Sequence, residues 1–193
     1  MRSRPELGIA AVVLSITTVI GSASIGMAAV NHSGAPTQIF VHQKDVHTFL
    51  VTQGSRRTYT RWTAFAGSVC GTGTGFSKSK WVAGAMERFQ SLNTQNQLSI
   101  CGSTYRTKPA AHTAFVGALA NINSGFSAHT TMGVTIGNES GGSYGMSKSL
   151  HLPMSMLFFR HGPTLVRLMI VGHKAVGHHV KVLAKTINKN LGM

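Results

Sequence analysis

The chain has 193 residues, 18 of them Lys or Arg and only four Asp or Glu, so it carries a formal charge of +14 before its ten histidines are counted. A polycation of this size is drawn to phosphate-rich or carboxylate-rich partners whatever its fold. Beyond the first six residues the carboxylates are Asp45, Glu87 and Glu139, which leaves paired-carboxylate glycosidase chemistry and acidic Mg or Ca sites almost without candidates. With so few native carboxylates to protonate, tolerance of acid is expected.

Arg2 and Arg4 precede an uncharged run from Leu7 to Val30. At about 1.5 Å per residue such a run spans roughly 36 Å as a helix, enough to cross a hydrocarbon core of about 30 Å. It also reads as a signal peptide, with small residues at Ser22-Ala23-Ser24 or Gly26-Met27-Ala28 suited to cleavage. Residues 1–30 are therefore expected to be a signal peptide or transmembrane anchor, and the rest of the chain to be exported. Residues 31–37 read as a linker, 38–162 as an exported α+β domain and 163–193 as a basic amphipathic helix packed on or near it.

Within the domain, residues 38–42 and 46–52 and the stretch Tyr59 to Val69 have strand-like content. Cys70 and Cys101, the only cysteines, are expected to pair in an oxidising compartment. The glycine-rich GTGTGFSKSK that follows lacks the spacing of a phosphate-binding loop. Trp81, Ala85, Phe89 and Leu92 fall on one helical stripe, with Ser79 as its cap and Asn93 near its end. Leu98 to Tyr105 reads as a strand. Pro109 can open a helix with Ala111, Phe115, Ala118, Leu119 and Ile122 on its apolar face. Period-two runs from Met132 to Ile136 and from Tyr144 to Phe158 flank GNESGG, the pattern of a β-hairpin with the glycines in its turn. The fold class expected is thus α+β: a hydrophobic N-terminal helix, a small, mainly antiparallel sheet, flanking helices and a C-terminal amphipathic helix.

Two short motifs suggest catalysis. Glu139-Ser140-Gly141-Gly142 resembles the Asp-Ser-Gly-Gly around the nucleophile of chymotrypsin-like proteases, which would imply a histidine base and an orienting acid. His47, Glu87 and Ser140 stand in that family's chain order, and His112 lies in the closer local context PAAHT, but only Glu139 stands between it and Ser140. Ser77-Lys78-Ser79-Lys80 resembles the Ser-x-x-Lys of penicillin-binding proteins, with Ser91-Leu92-Asn93 as a Ser-x-Asn; the matching Lys-Thr-Gly is absent, since Lys185-Thr186 continues into Ile187. A small exported serine hydrolase using Ser140 is the rival that these motifs define.

No cofactor or metal is expected. His42, Asp45 and His47 could converge only in a tight turn, while His173 and His178 would lie about 140° apart on a helix and His179 beside them. From Pro163 onward, Leu165, Leu168, Met169, Val176, Val180, Leu183, Ile187 and Leu191 share an arc of roughly 140°, with Arg167, Lys174, His178, Lys181, Lys185 and Lys189 opposite. These six cations are the expected anionic-surface contacts. The apolar stripe could pack on the sheet or lie in a membrane surface; nucleic-acid binding is a weaker alternative, because no aromatic residue interleaves the cations. The reading as a whole is a non-enzymatic envelope protein, for example a structural or assembly component of a secretion, conjugation or surface apparatus. Its expected partners are the membrane through residues 7–30, anionic lipid or envelope polymer, and other envelope proteins.

Overall fold

The computed structural model describes residues 34–46, 52–71, 76–91, 96–173 and 177–193. The hydrophobic run 7–30, His47 and Lys174 lie outside them. Among the described residues no helix is long and apolar enough to cross a membrane.

Among the described residues seven strands form one antiparallel sheet: β1 (Thr52–Tyr59), β2 (Trp81–Gln90), β3 (Gln97–Tyr105), β4 (Phe126–Met132), β5 (Glu139–Ser147), β6 (Pro153–His161) and β7 (Thr164–Val171). Their spatial order is β1-β2-β3-β7-β6-β5-β4. The first three strands run as a meander; the chain then crosses one face, starts again at the far edge and returns inward, so its last strand lands beside β3. That crossing is α3 (Lys108–Asn121). Thr107 caps it by accepting from Ala110 N at 3.2 Å, and Pro109 sits in its first turn, where a missing N–H costs nothing. A terminal helix, α4 (Gly177–Leu191), covers the opposite face, joined there by a 3-10 turn (Thr37–Ile39) and the short α1 (Gln43–Val46). A five-residue helix, α2 (Trp62–Ala66), lies with α3 on the first face.

The mixed α+β class, the strand over 98–105 and the helix opened by Pro109 match expectation, and Ala111, Phe115, Ala118 and Ile122 are buried as the stripe requires. Other elements differ. The expected helix at Trp81–Leu92 is strand β2 over Trp81–Gln90, because a four-residue spacing is even and Ala85 and Phe89 share a strand face as readily as a helical one, while Trp81, across a register shift from Ala83, packs on the other face. Residues 38–42 are a 3-10 turn and irregular backbone rather than a strand; of the expected strand 46–52, Val46 ends α1, Thr52 begins β1 and 47–51 lie outside the described residues; and Tyr59 to Val69 is the end of β1 followed by α2.

The expected continuous helix from Pro163 divides. Thr164–Val171 is a central strand, buried on both faces, and its one-sided stripe was the middle of a nearly unbroken apolar run. Gly172, at φ +117°, turns the chain out of the sheet in a conformation that disfavours any other residue. The hairpin around GNESGG also shifts. The reversal falls at 133–138, and Ser140, Gly141 and Gly142 lie inside β5. The two glycines serve packing: a Cβ on Gly141 would come within 2.9 Å of the Leu119 side chain of α3, and one on Gly142 within 2.8 Å of the Met156 carbonyl. The second apolar run, 144–158, is itself broken by a turn at 148–152 into β5 and β6.

Candidate anion-binding surface

Neighbouring residues of a strand point to opposite faces, and this places Glu139 and Ser140 on different sides of the sheet. Glu139 points toward α3. Its Oε1 lies 2.5 Å from Nδ1 of His112, and its Oε2 accepts from Arg160 Nε at 2.6 Å. Ser140 points toward the α4 face, where its Oγ donates to the Val134 carbonyl at 2.9 Å and accepts from Ile136 N at 3.0 Å. The histidine–carboxylate pair is therefore real, but it stands on the other side of the sheet from the hydroxyl. Ser140 ties down the β4–β5 loop.

Glu87 is fully buried and engaged: it accepts from Val41 N at 2.8 Å and from Arg56 Nε at 2.5 Å, and Arg56 also donates to the Val41 carbonyl. It fastens the segment before α1 to the sheet and has no histidine beside it among these contacts. In the Ser-x-x-Lys motif, Ser77 Oγ accepts from Ser79 N at 3.1 Å. Asp45 Oδ2 accepts from the backbone N of His42 at 2.9 Å, a local turn bond. Among the described residues no group of three His, Cys, Asp or Glu is placed to hold a metal ion.

Of the six tail cations, His178, Lys185 and Lys189 are exposed on α4 and Lys181 is half-buried. Val180, Leu183, Ala184 and Ile187 are buried against the sheet. The apolar side of α4 is thus spent on the core, and a membrane could meet only its cationic side. Arg167 does not belong to this set. It lies on β7 under the α3 face, 1% exposed, and donates from Nη2 to the Val69 carbonyl at 2.7 Å and toward Cys101 Sγ at 3.4 Å. Its guanidinium also stands 5.9 Å from the Phe76 ring centroid. Burial pushes its pKa down to about 10, so it remains a cation at neutral pH.

Cys70 and Cys101 form a disulfide, fully buried on the same face as Arg167. The bond and the arginine together fasten the segment after α2 onto β3 and β7.

A second gathering of cations lies at the start of α3, away from the tail. Arg106 N donates to the Lys80 carbonyl at 2.9 Å, which brings the start of β2 beside the end of β3. Ser77 N donates to the Tyr105 hydroxyl at 3.2 Å, holding the preceding turn there; burial raises that hydroxyl's pKa well above its usual range, so it stays protonated. Two depressions open on either side of Pro109. The smaller, about 150 Å³, is lined by Ser77, Ser79, Lys80, Ala110 and Thr113. The larger, about 380 Å³, is lined by Lys108, His112, Asn138 and Arg160.

Exposed Lys78, Lys80, Arg106 and Lys108 and the half-buried Arg160 thus surround the start of α3, with Glu139 the one carboxylate among the residues described there. Burial opposes ionisation of Glu139, but the bonds from Arg160 and His112 outweigh it and hold the carboxyl below its usual range. One signal in the sequence points to this place. Arg106 and Lys108 flank the cap of a helix whose first turn contains no acid, where the dipole disfavours cations.

No family model and no curated protein matches the chain. Among solved structures, the fold is similar to the extracellular domain of PknH from Mycobacterium tuberculosis, with a TM-score of 0.61 at 8% identity, over 81% of this chain and 95% of that one. At that identity the likeness is one of architecture.

Proposed function

We propose that this chain is an exported envelope domain that docks without catalysis on anionic surfaces, polymeric or lipid, and that residues 1–30 carry it across the membrane or hold it there. The observation that carries the reading is the convergence of Lys80, Arg106, Lys108 and Arg160 around two open depressions, supplemented by the cationic side of α4. The buried Cys70–Cys101 bond is suited to an oxidising compartment, and the architecture is one that an extracellular domain also uses. A hydrolase using Ser140 is disfavoured, because the hydroxyl is committed to two backbone groups and faces away from His112.

The reading is tested with the full-length chain on vesicles of phosphatidylglycerol and of phosphatidylcholine, the second giving the baseline set by the hydrophobic run. The affinity difference between the two is expected to fall at least tenfold as salt rises from about 0.05 to 0.3 M. A difference that is absent, or indifferent to salt, would overturn it.

A further inference from the structure

The cations are unevenly placed. No Lys or Arg occurs between Lys108 and Lys148, and the fold turns that gap into a place: most of α3, all of β4 and all of β5. At the outer edge of this corner β4 ends the sheet, and its residues 127–131, Ser-Ala-His-Thr-Thr, are all exposed. Beside it, on β5, Tyr144 and Met146 are 43% and 39% exposed; they pair with Thr130 and Ala128, beyond the reach of α4.

Edge strands expose a row of unpaired backbone N–H and C=O groups, and proteins ordinarily guard them with Lys, Arg, Pro or a cover. The opposite edge is guarded: β1 carries Arg56 and Arg57. β4 carries no charged residue and no proline, and threonines enrich it in strand preference. Two copies of a +14 chain repel each other over most of their surfaces. Along β4 they can approach over a strand that itself carries neither lysine nor arginine, with the exposed Lys148 beside its start, where Lys148 N donates to the Gly125 carbonyl.

We propose that β4 is a self-association edge, pairing antiparallel with β4 of a second copy to join two seven-stranded sheets into one, with Tyr144 and Met146 of each copy covered by the other. An antiparallel pair of identical strands is related by a two-fold axis and closes on itself, so the product is a dimer and not a fibre. Because like charge elsewhere opposes the pairing, salt strengthens it, the reverse of its effect on anionic vesicles. Failure of the one reading therefore leaves the other standing.

The test uses the full-length chain with single cysteines at Ser127, His129 or Thr131 of β4, or at Ser55 of β1 as a control, Cys70 and Cys101 being already joined. On mild oxidation, at least one β4 position is expected to give a cross-linked species of twice the chain mass, at least tenfold more than Ser55→Cys, increasing with salt. Adding Thr130→Lys, an exposed change, should reduce that species at least tenfold while the Cys70–Cys101 bond stays intact. No cross-link at any of the three positions, equal cross-linking at Ser55, a product of another mass, or indifference to Thr130→Lys would overturn the proposal.

Discussion

The two faces of the sheet are held by different means. Under α4 the core is mainly aliphatic, built from Ile39, Leu98, Ile100, Leu157, Val166, Leu168, Ile170, Leu183 and Ile187, with Phe89 and Phe159 among them; packing of α4 closes most of it, and Glu87 with Arg56 fastens the irregular stretch at Val41. Under α3 the core contains Phe65, Phe76, Phe158, Tyr105, three methionines, the disulfide and Arg167. Part of its cover is the described part of the segment between α2 and β2, residues 67–71 and 76–80, which is fastened by a covalent bond and a buried cation. Where secondary structure covers a face, hydrophobic burial suffices; where a loop must cover it, specific bonds take over.

The comparison breaks first at Leu168. It is fully buried under α4, and Leu168→Ala should cost about 4 kcal/mol, read from denaturant unfolding with an unchanged slope. A much smaller loss would mean that hydrophobic burial is not what holds the α4 face. Removing the bond on the other face, with Cys70→Ala and Cys101→Ala together, should cost roughly 3 kcal/mol. Hydrogen exchange should then quicken in α2 and in α3 while α4 keeps its protection; equal loosening of both faces would erase the contrast.

Arg167 sharpens the comparison. A buried cation with carbonyl, sulfur and aromatic neighbours gives no large net stabilisation, so Arg167→Met should change stability by under about 1.5 kcal/mol and leave binding to anionic vesicles unaltered. A drop in vesicle affinity would return Arg167 to the surface role that its sequence position suggested.

The smallest effect is at Glu139, whose folded carboxyl titrates below its unfolded value of 4.5. A lowered folded pKa contributes stability above the unfolded value and loses it as pH falls through the folded one. Glu139→Gln should therefore cost under about 1 kcal/mol at pH 7, and the gap between variant and parent should narrow as pH falls below 4.5, seen in paired pH titrations of unfolding.

What was legible in the sequence had a single reading. Thr107, Pro109 and the stripe from Ala111 to Ile122 agree on a helix; two cysteines leave one pairing; Val180, Leu183 and Ile187 lie on one side of α4. What was not legible had two. The four-residue spacing of Trp81, Ala85 and Phe89 suits either period, and only burial on both sides of β2 decides it. Leu165 to Val171 lacks alternation because a central strand has no wet face. The pair Gly141-Gly142 looked like a turn, yet each glycine makes room for a neighbour. The cationic site was the least visible: Lys80, Arg106, Lys108 and Arg160 come from three parts of the chain, and only the return of β6 beside β5 brings the last of them to the start of α3.

The central claim is that these scattered cations act as one anion-binding surface. The most direct measurement compares the full-length chain with its Lys80→Gln, Lys108→Gln double variant on phosphatidylglycerol vesicles at low salt, subtracting the phosphatidylcholine baseline. At about 1 kcal/mol for each lysine near an anionic surface, affinity should fall roughly thirtyfold, with near-ultraviolet circular dichroism unchanged. Unaltered affinity in a folded double variant would contradict the account.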